Sequence, residues 1–260
     1  MDLNIKGKYA LVTGGGRGIG RATALALAEE GCNVAICALE QEEIEKTLEQ
    51  IKERGVMGIG LVADVTNPAN VEKVIKTVVD DWKTIHILIN NVGGGGKRVA
   101  TPVEETSEEV WLETYNINAL AAVRFTRKAI PFMKKQKWGR IVTIASLQGR
   151  EGGGRPWYNM AKSAEISLMK TLAMDKNLSS LGITFNSIAP GAIIFPGNEW
   201  DVFRQENPGE FAKVIEAKHP IGRLGAPGEI GAVVAFLCSE KAALINGACL
   251  AVDGGESKSF

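Results

Sequence analysis

Short apolar runs rich in β-branched residues alternate with longer stretches of helical period along this chain. Several of the runs are continuously apolar, as expected for strands that helices cover on both faces. The pattern predicts an α/β fold: a Rossmann-type doubly wound sheet of seven parallel strands, with right-handed crossovers and helices on both faces. The predicted strands are Tyr9–Thr13, Asn33–Ala38, Met57–Ala63, His86–Asn90, Arg140–Ala145, Ile183–Ala189 and Ala248–Val252. The predicted helices are Gly18–Glu30, Glu42–Arg54, Pro68–Trp82, Glu108–Lys135 (in one or two pieces), Tyr158–Leu178 and Pro227–Ser239.

Charge and composition narrow the possible partners. Thirty Lys and Arg balance thirty Asp and Glu, so no basic surplus favours a nucleic acid. No run approaches the roughly 20 apolar residues that span a bilayer, and the charged start Met1–Lys8 has no signal-peptide core. The four cysteines match no zinc or redox spacing, so we expect no metal. These features predict a cytoplasmic protein with one domain over residues 1–260.

A glycine-rich loop follows the first predicted strand and opens the first predicted helix. Its sequence is Thr13-Gly14-Gly15-Gly16-Arg17-Gly18-Ile19-Gly20, with Gly14, Gly18 and Gly20 as the fixed points of G-x-x-x-G-x-G. Glycines allow a tight turn and close approach of a ligand, and the helix N-terminus offers free N–H groups to a pyrophosphate. The position indicates dinucleotide binding. A tight turn without a ligand would also suit these glycines.

Polar residues end two further strands at the carboxyl edge, where open α/β sheets bind ligands. Asp64 and Val65 follow the third strand, and Asn90-Asn91-Val92-Gly93 ends the fourth. Each also has a local explanation: Asp64 begins a turn, and the two asparagines hold neighbouring strands together.

Four side chains are candidates for the chemistry. Tyr158 and Lys162 lie four positions apart in a predicted helix and share one face. A nearby ammonium favours the phenolate of a tyrosine, whose free pKa of about 10 is otherwise too high for proton transfer at neutral pH. Ser146 closes a strand, from which its hydroxyl can bond a substrate oxygen. Asn118 lies within a helical stretch that does not favour asparagine. Taken singly, each residue also has a structural explanation.

Together these motifs resemble the short-chain dehydrogenase/reductase family over nearly the whole chain. Asn118, Ser146, Tyr158 and Lys162 fall in order on its catalytic tetrad. The resemblance makes the glycine loop the cofactor loop, Asp64-Val65 the adenine contact, and Asn90–Gly93 the family's Asn-Asn-Ala-Gly segment with Val92 for alanine. Asn186 and Pro190-Gly191 are similar to the motif that closes the sixth strand, and Asp253-Gly254-Gly255 to the end of the seventh. The cofactor contacts that it implies are Gly14, Arg17, Gly18, Ile19, Gly20, Ala38, Asp64, Val65, Asn91, Gly93, Tyr158, Lys162, Pro190, Gly191 and Ile193.

The resemblance also implies a reaction. A nicotinamide gives hydride to a carbonyl carbon while Tyr158 gives a proton to the oxygen. Ser146 polarises that oxygen, Lys162 lowers the tyrosine pKa and bonds the nicotinamide ribose, and Asn118 holds a water that links Lys162 to solvent.

The preferred nicotinamide is predicted from the end of the second strand. In proteins that bind NAD, this strand usually ends in an acidic residue that hydrogen-bonds the ribose 2′-hydroxyl. Ala38 stands at that place, and Arg17 can pair with a 2′-phosphate. Leu39 replaces a common second basic residue and Glu40 can point back toward the ribose, so NAD stays open as the alternative to NADP.

Residues 192–219 are predicted to form the substrate side, with aromatic residues such as Trp200. Phe195 stands where the family often has a threonine that holds the nicotinamide amide. Gly93–Gly96 is predicted to be a movable flap. A 3-oxoacyl-type ketoreductase is the first hypothesis and a sugar or secondary-alcohol dehydrogenase the second. The third, a non-catalytic dinucleotide-binding regulator, does not need the tetrad.

We expect a homotetramer, built through the helices around Glu108–Lys135 and Tyr158–Leu178 and the last strand. These helices carry ample apolar surface, which burial in the core explains equally well.

Overall fold

A computed structural model describes residues 2–95 and 102–259. Within that part of the chain, seven parallel strands form one sheet in the order β3-β2-β1-β4-β5-β6-β7. The chain runs outward from β1 to β3, returns to β4 beside β1, and then runs outward the other way. This topology confirms the predicted doubly wound sheet. The strands are β1 (Tyr9–Thr13), β2 (Asn33–Ala38), β3 (Gly58–Val62), β4 (Ile87–Asn90), β5 (Gly139–Ile144), β6 (Ile183–Pro190) and β7 (Cys249–Val252).

The helices lie on both faces of the sheet. Alternate residues of each strand point to opposite faces, so Leu11 and Val12 of β1 belong to two different apolar clusters. The cluster around Val12 packs the first and last helices on the sheet, and the cluster around Leu11 packs helices from the middle of the chain. The helices are α1 (Gly18–Glu29), α2 (Gln41–Glu53), α3 (Pro68–Trp82), α4 (Glu108–Tyr115), α5 (Ala121–Gln136), α6 (Pro156–Ala173), α7 (Lys176–Ser179), α8 (Glu199–Glu206), α9 (Pro208–Lys218) and α10 (Pro227–Leu237).

Strand ends agree with the sequence prediction within one residue. Among the helices, the predicted Pro227–Ser239 ends at Leu237, two residues early. The stretch Glu108–Lys135 takes the two-piece form, and the stretch Tyr158–Leu178 differs from the prediction at both ends. The predicted helix Glu108–Lys135 is α4 and α5 joined by one π-helical turn, Asn116–Leu120. The predicted helix Tyr158–Leu178 begins two residues earlier, because Pro156 suits the first turn of a helix. It ends at Ala173, and α7 then begins afresh because the Asp175 side chain accepts the Asn177 N–H at 2.8 Å.

No helix in the described ranges is both long and apolar enough to cross a membrane. The reversal of strand order lies between β1 and β4, and it opens a crevice at the carboxyl edge of the sheet. The glycine loop and the ends of β4, β5 and β6 all reach that edge.

Candidate active site

The glycine loop turns back over the end of β2. The N–H groups of Gly14 and Gly15 donate to the Cys37 carbonyl at 2.7 and 3.2 Å. Gly18 has φ +56°, and a β-carbon on Gly20 would lie 2.1 Å from the Gly14 carbonyl oxygen. Both positions therefore require glycine.

The N-terminus of α1 suits a pyrophosphate. Arg17 is its N-cap residue, and no side chain caps the first turn. Uncapped N–H groups of Gly18, Ile19 and Gly20 and the positive end of the helix dipole therefore point into the crevice, which is the donor set that a dinucleotide needs. The Phe195 ring covers the loop: a β-carbon on Gly18 would lie 2.7 Å from Phe195 Cζ.

Asn91 ties the end of β4 to this loop. Its backbone N–H donates to Thr13 Oγ1 at 2.9 Å, and its side-chain amide donates to the carbonyls of Thr13 and Gly14 at 2.9 and 3.2 Å. The Asn90 side-chain amide instead donates to Thr126 of α5 and to Thr143 of β5. The two asparagines hold β1, β4 and β5 in register at the crevice, which is the local role that their positions indicated.

Asp64 and Val65 lie together after β3. The Asp64 carboxylate accepts the Thr66 N–H and hydroxyl at 2.9 and 2.6 Å, and these bonds lower its pKa. This turn is the local alternative foreseen for Asp64. Val65 is buried beside it.

The end of β2 carries no acid, but an acid from α2 approaches the same place. Ala38 lies against the loop, since its Cβ is 3.3 Å from where a Gly16 β-carbon would be. Glu43 Oε2 is 3.1 Å from that point, and Glu43 Oε1 is 3.8 Å from Arg17 Nη1. Arg17 therefore lies within ion-pair distance of a carboxylate of this chain.

Tyr158 and Lys162 lie one turn apart on α6, as predicted. The Lys162 ammonium is buried 5.7 Å from the Tyr158 ring centre and donates to the Ile144 carbonyl at 3.0 Å. The Arg155 guanidinium lies 5.4 Å from the same ring. The phenol therefore has a buried cation one helical turn behind it.

Sequence reasoning missed Glu165, the partner of Lys162. Glu165 Oε2 accepts from Lys162 Nζ at 2.9 Å, and both side chains are about as buried as the core, with 1% and 3% exposed. Burial alone would lower the pKa of Lys162, but the Glu165 carboxylate, together with Tyr158, raises it. Burial raises the pKa of Glu165. An acid seven positions after Tyr158, on the same helical face, was the available sequence signal.

Asn118 lies in the π-helical turn, a kind of helix defect that is frequent at functional sites. Its side-chain amide donates to the carbonyls of Gly94 and Thr114, both at 2.7 Å, and its Oδ1 accepts the Gly94 N–H at 3.1 Å. Asn118 thereby fixes the segment after β4. The proton relay predicted for it stays a prediction.

The segment Gly93–Gly95 lies across Tyr158 and Lys162. A β-carbon on Gly93 would lie 2.8 Å from Lys162 Nζ, and one on Gly95 would lie 2.7 Å from Tyr158 Cδ2. The Trp157 indole donates to the Gly95 carbonyl at 3.3 Å. Gly96, the last residue of the predicted flap, lies outside the described residues.

Ser146 follows β5 and opens into the same space. Its Oγ accepts the Gln148 N–H at 3.2 Å, which leaves the hydroxyl proton free to donate. Ser146 and Tyr158 both line one cavity of about 940 Å³.

The remaining walls come from the segment after β6 and from the C-terminal end. Ala192 N–H donates to Glu256 Oε2 at 2.7 Å, and the buried His219 lies 3.6 Å from the same oxygen. Residues 192–219 contain α8 and α9 and line one side of the cavity, and their role on the substrate side stays a prediction. The residues that they and the preceding strand supply are Pro190, Gly191, Ala192, Ile193, Asn198, Glu199, Trp200, Val214, Lys218 and His219.

The predicted residues therefore form two groups along one crevice. Ser146, Tyr158, Gly93, Pro190, Gly191 and Ile193 line the cavity, with Lys162 and Asn118 buried behind it. Arg17, Ala38, Asp64 and Val65 lie beyond the glycine loop, at the ends of β1, β2 and β3.

Comparison with known proteins finds matches that extend over nearly the whole chain. A family model described as enoyl-(acyl carrier protein) reductase matches residues 14–257. The 3-oxoacyl-[acyl-carrier-protein] reductase FabG of Escherichia coli is 36% identical, with 97% of this chain and 98% of FabG aligned. The (2S)-[(R)-hydroxy(phenyl)methyl]succinyl-CoA dehydrogenase subunit BbsD of Thauera aromatica is 34% identical, with 98% of each chain aligned.

The solved structure of L-sorbose reductase from Gluconobacter frateurii, in complex with NADPH and L-sorbose, superimposes with a TM-score of 0.91. That match covers 100% of both chains at 31% identity.

Proposed function

Because the chain belongs to the short-chain dehydrogenase/reductase family of NAD(P)-dependent oxidoreductases, we propose that it reduces the ketone of a 3-oxoacyl thioester to a secondary alcohol. The observation that carries this proposal is the shared cavity of Ser146 and Tyr158, with the Lys162 ammonium buried behind the phenol. Two hydroxyls of different acidity, one beside a cation, are what proton transfer to a carbonyl oxygen requires.

In this reaction the bound nicotinamide supplies the hydride. The Tyr158 hydroxyl gives its proton to the substrate oxygen as negative charge develops there. Ser146 keeps its proton and donates a hydrogen bond to the same oxygen, which fixes the position of that oxygen. Lys162 stabilises the phenolate that remains, and Asn118 holds the Gly93–Gly95 backbone against both groups.

The cofactor contacts are proposed along the crevice. N–H groups of Gly18, Ile19 and Gly20 hold the pyrophosphate, and Lys162 reaches the nicotinamide ribose. Asp64 and Val65 lie at the adenine end. Gly14, Ala38, Asn91, Gly93, Tyr158, Pro190, Gly191 and Ile193 complete the proposed contacts.

We propose NADP as the preferred cofactor. Arg17 is 68% exposed in its side chain, and no acid ends β2 at Ala38. An arginine at this place pairs with a 2′-phosphate. Glu43 opposes this preference, because its carboxylate lies beside the same loop.

An acyl thioester is the proposed substrate for two reasons. Two relatives carry an acyl carrier or CoA in their names. The cavity, at about 940 Å³, is large enough for an acyl chain with part of its carrier arm. A sugar ketone is the second candidate, favoured by the polar lining from Gln148, Glu151, Asn198 and Glu256. The structure of the sorbose reductase, whose complex contains L-sorbose, matches 100% of this chain with a TM-score of 0.91.

A homotetramer and a cytoplasmic location complete the proposal. Large apolar side chains are exposed on the elements that we expect at the interfaces: Leu112 on α4, Met160 on α6, and Leu244 just before β7. Such exposure on three separate elements suits association of several copies.

The test is the initial rate of NADPH oxidation with a short 3-oxoacyl thioester. Arms with NADH, with L-sorbose and with a 2-enoyl thioester distinguish the cofactor, the sugar candidate and carbon–carbon double-bond reduction. Fast turnover of the 3-oxoacyl thioester is the expected result. If the enzyme turned over only the sugar, or only the enoyl thioester, that compound class would replace the 3-oxoacyl thioester as the proposed substrate.

A further inference from the structure

The buried ion pair behind Tyr158 adds a residue to the site. Tyr158, Lys162 and Glu165 stand at positions i, i+4 and i+7 of α6 and therefore lie on one helical face. We propose that Glu165 is a positioning residue for proton transfer: by pairing with Lys162 it sets the pH at which the Tyr158–Lys162 pair gives up its first proton. This inference rests on the proposed function, in which Tyr158 is the proton donor.

The geometry of Lys162 carries the argument. Its ammonium has three N–H groups, of which one reaches the Ile144 carbonyl at 3.0 Å and one reaches Glu165 Oε2 at 2.9 Å. A β-carbon on Gly93 would approach Nζ to 2.8 Å, so backbone closes that side. The two bonds hold the ammonium in one place behind the phenol.

Burial makes the Glu165 charge effective. Both side chains are at most 3% exposed, so little solvent screens the pair. Within residues 2–95 and 102–259, Glu165 and Tyr158 are the titratable groups that act on Lys162, and Lys162 is the one that acts on Glu165. From other elements, Lys162 meets the neutral Ile144 carbonyl and the Gly93 backbone. Tyr158 itself also faces Arg155.

The direction of the effect follows from charge. With Glu165 ionised, the carboxylate and the ammonium cancel, and the neutral phenol keeps its proton. Without the carboxylate the pocket holds a net positive charge, so the Tyr158–Lys162 pair releases its first proton more readily. Because the two groups are coupled, that proton belongs to the pair rather than to either residue.

The experiment is a pH titration of the full chain containing tyrosine labelled at the ring carbon that bears the hydroxyl. The chain has three tyrosines, and Tyr158→Phe identifies the signal of Tyr158. The NMR shift of this carbon responds to ionisation of the phenol and to a change of charge on Lys162. In Glu165→Gln the first inflection should move to lower pH by about one unit or more.

Two further variants serve as controls. Asp80→Asn removes a carboxylate from the exposed Lys76–Asp80 pair on α3 and should leave the inflection in place. Glu165→Asp keeps the charge at a longer distance, so its inflection should lie between those of the native protein and Glu165→Gln. It also keeps the test open if Glu165→Gln fails to fold.

A second readout is the pH dependence of kcat/KM for ketone reduction. The reaction needs the proton of the Tyr158 phenol and that of the Lys162 ammonium, so activity falls at alkaline pH. In Glu165→Gln this fall should begin at lower pH, as the NMR inflection does. An unchanged Tyr158 titration in Glu165→Gln, or in Glu165→Asp where Gln is unfolded, would overturn the inference even in an active enzyme. A shifted titration in a protein without carbonyl turnover would overturn the proposed function and leave the Glu165 effect standing.

Discussion

Arg17 and Glu43 face each other at the mouth of the crevice, with Nη1 3.8 Å from Oε1. The residue proposed to hold a 2′-phosphate is therefore engaged by an acid from α2. We therefore expect the preference for NADPH over NADH to depend on the balance between the two charges.

Arg17→Ala should raise the KM for NADPH about tenfold or more and leave that for NADH nearly unchanged. A charge-assisted hydrogen bond contributes about 1.5–3 kcal/mol, and NADH, which lacks the 2′-phosphate, does not make this bond. Glu43→Gln should have the opposite effect and lower the KM for NADPH relative to that for NADH, because it removes a carboxylate that repels the 2′-phosphate. Steady-state kinetics with both cofactors measure this ratio.

The matched control for Arg17 is Arg54→Ala, which breaks an ion pair with Glu29 between α2 and α1. It should not alter the cofactor ratio. If Arg17→Ala affected NADPH and NADH equally, the assignment of Arg17 to the 2′-phosphate would be wrong.

Tyr158→Phe should lower kcat for ketone reduction about a hundredfold or more, because it removes the proposed proton donor. Cofactor affinity, followed by NADPH fluorescence, should change little. Tyr9→Phe removes the same hydroxyl from a ring that stacks on Trp82 at the amino end of β1, and it should keep full activity. Substantial turnover by Tyr158→Phe would remove this residue from the mechanism.

The sheet was predictable from the sequence because its signals are local. Runs such as Asn33–Ala38 are apolar and β-branched, and the structure forms them as predicted. Pro68 marks a helix start in both the sequence and the structure. The parallel, doubly wound form of the sheet followed from the alternation of the two element types.

What the sequence could not provide depends on contacts between distant residues. Asn118, in the π-helical turn, makes two hydrogen bonds with Gly94, which lies 24 positions away in the chain. Glu165 looked like an ordinary helix residue, since charge on a helix usually faces solvent. The placement of Glu43 beside Arg17 depends on how α2 packs against the glycine loop. Of these, Glu165 alone had a local sequence signal, its place seven positions after Tyr158 on the same helical face.

Gly93→Ala should lower kcat/KM much more than Gly94→Ala. A β-carbon on Gly93 would lie 2.5 Å from Asn118 Oδ1 and 2.8 Å from Lys162 Nζ, so both side chains must move. A β-carbon on Gly94 meets nothing within 4 Å. Steady-state kinetics of the two variants, with thermal unfolding as a check of the fold, make the comparison. Equal losses in the two variants would contradict the prediction that the contacts of Gly93 with Asn118 and Lys162 decide the effect.

Leu112→Glu should reduce the molecular mass that light scattering reports. Leu112 is 61% exposed on α4, where we expect one tetramer interface, and a carboxylate there would be buried without a partner. Met57→Glu changes an equally large exposed side chain between α2 and β3 and should leave the mass unchanged. A monomeric mass for the unsubstituted protein would contradict the tetramer directly.

The unfolding free energy should fall as the pH drops below the ordinary pKa of histidine, because of His86. Burial lowers the pKa of His86 to about 4, and its Nδ1 accepts the Tyr9 N–H at 3.2 Å, so the folded protein keeps this ring neutral. The unfolded chain takes up a proton at about pH 6.5, so the stabilisation is present above that pH and is lost toward pH 4. After allowance for partial exposure, about 1–2 kcal/mol should disappear between about pH 7 and pH 5.

Chemical denaturation at the two pH values measures this loss in the native protein and in His86→Asn. Asparagine keeps an acceptor near the Tyr9 N–H but does not titrate, so the variant should show a loss smaller by the same 1–2 kcal/mol. The comparison uses the pH-dependent difference because the substitution also removes the ring contacts with Tyr9 and Trp138. His219→Asn, the change at the other histidine of the chain, should leave the His86 contribution in place. An equal loss in His86→Asn and the native protein would show that the ring takes up its proton without opening the fold.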